Sequence, residues 1–108
     1  MSDVWYLFRF GFVGVVQYEQ EYDGEDSFSV WIEAESKNVA LEWGRELAEK
    51  YIEYIFVLQG WKGKVPSWKE QGFANWIEDD AKSYLQNNLT RVKVGEVPDF
   101  SVWYNWAE

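Results

Sequence analysis

The stretch that most restricts the fold is the 22-residue run KNVALEWGRELAEKYIEYIFVL, which follows Ser36. At 100° per residue, Ala40, Trp43, Gly44, Leu47, Ala48, Tyr51, Ile55 and Leu58 form one apolar stripe, and Glu42, Arg45, Glu46, Glu49 and Glu53 fall opposite. That pattern predicts an amphipathic helix capped by Ser36, with its stripe on a sheet. Glycine costs about 1 kcal/mol relative to alanine inside a helix. A glycine within the apolar stripe therefore predicts close approach to a strand at Gly44.

The sheet is read on either side of this helix. Residues 4–18 are rich in aromatic and β-branched types and predict a long strand buried on both faces, with a bulge or bend at Gly11 or Gly14. The apolar start VWYLFRFGFVGVV carries Arg9 at its middle, follows Asp3, and is shorter than the ~20 residues a membrane span needs. It reads as strand rather than leader or span, so no membrane association is expected and the cytoplasm is the default location. From Ser27 to Ala34 the alternation is strict: Phe28, Val30, Ile32 and Ala34 on one face, Ser27, Ser29, Trp31 and Glu33 on the other. Asp23-Gly24 is a turn signal that joins the two strands as an antiparallel hairpin.

Beyond the helix, residues 59–72 hold three glycines and a proline and read as a long loop. Phe73, Trp76, Ile77, Ala81, Tyr84 and Leu85 recur at helical spacing and predict a second helix. Thr90 to Val94 and Phe100 to Trp106 read as closing strands. The expected fold is α+β: residues 1–108 as a single domain, a two-layer sandwich of order ββααββ with a mainly antiparallel sheet and two helices on one face.

Function classes are narrowed first by what the chain lacks. There is no histidine and no cysteine. That removes Ser-His-Asp and Cys-His catalysis, disulfides and the usual zinc ligand sets. No phosphate-binding glycine loop, dinucleotide fingerprint or EF-hand spacing occurs, and no cofactor is expected. Glu33 and Glu35 share a strand face, but any Glu-x-Glu strand places carboxylates so; the pair reads as polar sheet edge rather than a catalytic dyad. Oxygen ligands for a hard cation are plentiful at Glu19, Glu21, Asp23, Glu25 and Asp26, yet no recognised loop arranges them, and no metal site is assigned.

Charge gives the positive indication. Ten basic against nineteen acidic side chains leave a formal charge of -9, which repels nucleic-acid backbones and favours basic protein partners. The segment QYEQEYDGEDSFSVWIEAES holds Glu19, Glu21, Asp23, Glu25, Asp26, Glu33 and Glu35 and no cation. Glu42, Glu46, Glu49 and Glu53 add a second acidic row along the helix. Eight tryptophans supply candidate anchors, and Trp31, Trp61 and Trp68 fall on a polar strand face or in a polar loop, where an indole has least reason to be unless it meets something. Lys62, Lys64 and Lys69, interleaved with two of these tryptophans, form too small a basic footprint for nucleic acid.

The expected activity is therefore non-enzymatic binding of a basic protein. The most concrete form is a stoichiometric inhibitor of the immunity, antitoxin-like or counter-defence kind, with Glu19, Glu21, Asp23, Glu25, Asp26, Trp31, Glu33, Trp61 and Trp68 at its partner surface. The alternatives are a saccharide or small-ligand module with Trp31, Trp61 and Trp68 as its platform, and an accessory subunit of a larger assembly. Oligomeric state is not legible.

Overall fold

A computed structural model describes residues 4–15, 18, 26–78 and 91–101. Two nine-residue strands, β1 (Val4–Phe12) and β2 (Asp26–Ala34), pair antiparallel in continuous register from Val4↔Ala34 to Phe12↔Asp26. Helix α1 (Lys37–Leu58) follows, then the short helix α2 (Trp68–Gln71) and two three-residue strands, β3 (Asn75–Ile77) and β4 (Arg91–Lys93). The sheet order is β3-β1-β2-β4. β3 joins β1 antiparallel and β4 joins β2 parallel, so among the described residues the α+β sheet is mixed: two of its three pairings are antiparallel and the β4 edge departs from the expectation.

The parallel edge is β4, and the antiparallel edge β3 forms where the expected second helix gives way. Phe73, Trp76 and Ile77 fit a helical period, yet α2 begins earlier, at Trp68, and stops at Gly72, whose φ of 72° is a left-handed helix terminus. The following residues take the open edge of β1, with Gly11 N–H donating to Ala74 O and Glu78 N–H to Leu7 O. Ala81, Tyr84 and Leu85 lie outside the described residues. At the other end, Thr90 to Val94 holds β4 as expected, but Phe100 and Ser101 form a helical turn instead of opening a strand. The remainder of that expected strand lies outside the described residues.

β1 also ends sooner than its composition indicates. Tyr18 N–H donates to Gly14 O, a bond between residues four apart that turns the chain helically, so the expected bend comes at Gly14 and the strand stops at Phe12. The Asp23-Gly24 turn lies outside the described residues.

The core lies between α1 and the even-numbered face of β1 and β2. Phe8, Phe10, Phe12, Phe28, Val30, Ile32 and Ala34 meet Ala40, Leu47, Ala48, Tyr51, Ile52, Ile55 and Phe56. Ser36 caps α1 by accepting the Val39 N–H at 3.3 Å. A Cβ added to Gly44 would sit 2.4 Å from the Phe8 ring, which is the close approach its position predicts. The stripe is wider than expected, since Ile52 and Phe56 are buried, and it ends sooner, with Leu58 53% exposed. No helix among the described residues is long and apolar enough to cross a membrane.

Candidate functional site

Indoles at loop and strand positions are the first candidates to place, and two of the three are interior. Trp68 opens α2 and is 2% exposed. Its ring meets Phe10 edge-on, and its Nε1–H donates to Gly11 O at 2.8 Å, which fastens the 59–72 loop to β1. Trp31 is also 2% exposed, but on the odd-numbered face of the sheet, beside Leu7 and Arg91 in register. Its Nε1–H has no hydrogen-bond partner among the described residues. On that face Ser27 is exposed and Ser29 and Glu33 are half-buried, so the indole alone among them is sealed.

Trp61 is half-buried, packed edge-on against Phe56 and Tyr18, with Nε1–H donating to Lys64 O. It borders a recess of about 380 Å³ with Tyr18, Lys64, Pro66 and Glu70. Of the three tryptophans, Trp31 and Trp68 are thus sealed and Trp61 is the one that borders a recess. Their signature misleads for a simple reason: a polar sequence neighbourhood does not reveal an indole that folds inward to close a loop.

The carboxylates divide between those engaged inside the molecule and those facing solvent. Glu19, Glu21, Asp23 and Glu25 lie outside the described residues. Asp26 opens β2 opposite Phe12. Along α1, Glu46 forms an ion pair with Lys69. Glu49 accepts from Ser67 Oγ at 3.3 Å and from the Lys69 N–H at 2.9 Å, and so anchors α2. Glu42 and Glu53 are exposed, and the only helical carboxylates tied to the loop among the described residues are the middle two of the row. Lys69, expected in a basic cluster with Lys62 and Lys64, serves as internal counter-charge.

Glu33 and Glu35 do not make a buried pair. Glu33 is half-buried and Glu35 exposed. Both border a depression of about 350 Å³ with Val39, Lys93 and Val94. Val39 and Val94 also line an adjoining groove of about 500 Å³ with Glu42, Trp43, Arg45, Glu46 and Lys69. Sequence reading placed Trp43 in the core stripe; it is half-buried instead, and its Nε1–H donates to Glu96 O at 3.1 Å, which holds the 94–101 segment against α1.

On the odd-numbered sheet face, Arg9 pairs with Glu78 at 3.3 Å and stands 5.8 Å from the Trp76 ring. Trp5 and Trp76, each 43% exposed, edge this face. No group of three acidic residues placed to hold a metal ion occurs among the described residues. Asp99 has a displaced pKa: the Ser101 hydroxyl and then the Ser101 N–H, both donating to its carboxylate, hold it below the ordinary aspartate value. Comparison of the chain with protein-family models, with curated proteins and with solved structures finds no match.

Proposed function

We propose that this chain is a small, acidic, non-enzymatic protein-binding domain, a stoichiometric inhibitor of the immunity, antitoxin-like or counter-defence kind that meets a basic surface of its target. One observation carries the reading. The formal charge is -9, a one-sign excess over the whole chain, and no charged side chain is buried among the described residues. A surface field of one sign accelerates encounter with an oppositely charged protein and disfavours nucleic acid. The acidic segment around Glu19, Glu21, Asp23 and Glu25 supplies the densest run of that charge in the sequence.

The test is affinity capture with the full chain at low and moderate salt, beside a variant in which Glu19, Glu21 and Glu25 become glutamine and Asp23 becomes asparagine. A basic protein held by the native chain, released by salt and lost by the variant is the expected result. Capture that is indifferent to both salt and substitution counts against the reading.

A further inference from the structure

We draw no further inference here: the strongest candidate, the apolar patch where Val57 and Leu58 stand exposed beside Tyr54 at the C-terminal end of α1, is an unpartnered helix face, and nothing among the described residues shows what covers it.

Discussion

At Gly44 two ordinary effects oppose each other. Alanine would raise helix propensity by about 1 kcal/mol, but its Cβ would lie 2.4 Å from the fully buried Phe8 ring. Overpacking of a closed core costs about 1–3 kcal/mol, so Gly44→Ala is expected to lower stability by up to roughly 2 kcal/mol in denaturant unfolding. The two sealed indoles make a paired comparison. Trp68→Phe forfeits the bond to Gly11 O and leaves that carbonyl without its donor, whereas Trp31→Phe removes an N–H that already lacks a partner among the described residues. The first substitution is expected to cost about 1–2 kcal/mol more than the second. Asp99 supplies the pH-dependent expectation. Its carboxyl is held below the ordinary value by Ser101, so the ionised form is favoured by the fold, and that contribution is present above the unfolded pKa and lost as pH falls through the folded one. Carboxyl-carbon NMR titration of Ser101→Ala is expected to show the Asp99 pKa rising toward that of a free aspartate.

Between α1 and α2 the connection depends on one carboxylate. Glu49 accepts from both the Ser67 hydroxyl and the Lys69 amide, so Glu49→Ala is expected to speed hydrogen exchange at the Lys69 amide and to cost about 1 kcal/mol. The elements that depend on local pattern were legible in the sequence: the Ser36 cap, the approach at Gly44, the Phe28-Val30-Ile32-Ala34 face and the short strand around Val92. Elements decided by distant partners were not. Phe73, Trp76 and Ile77 satisfy a helical spacing as well as they do a short strand, and the choice falls to β1, whose free edge offers Leu7 O and Gly11 N–H to the passing backbone. The same distinction applies at the candidate site. Acidic abundance can be read from composition, but which carboxylates remain free depends on where Lys69 and Ser67 fold, and Trp31 and Trp68 are sealed by neighbours remote in the chain.

Across the whole molecule, a charge of -9 without buried ionic groups among the described residues makes self-repulsion a standing cost to the compact state. Raising NaCl from about 10 to 200 mM shortens the Debye length from ~30 Å to below 10 Å, and is expected to raise the calorimetric Tm by about 3 °C. The same salt should weaken any partner that recognises the acidic surface. Stability and binding would then move in opposite directions with ionic strength, which separates a screened interface from a protein that is merely unfolding. Sheet order has a consequence of another kind. Strand β1 finds its β3 partner sixty-nine residues later, at Phe8↔Ile77, and β2 is joined by β4 only when Arg91–Lys93 arrives. Long closures of this sort slow folding, because chain entropy is lost before the distant contacts form. On the ribosome the β1–β2 pair will emerge early with both flanks unoccupied, and the sheet can close only after residue 93 has cleared the exit tunnel.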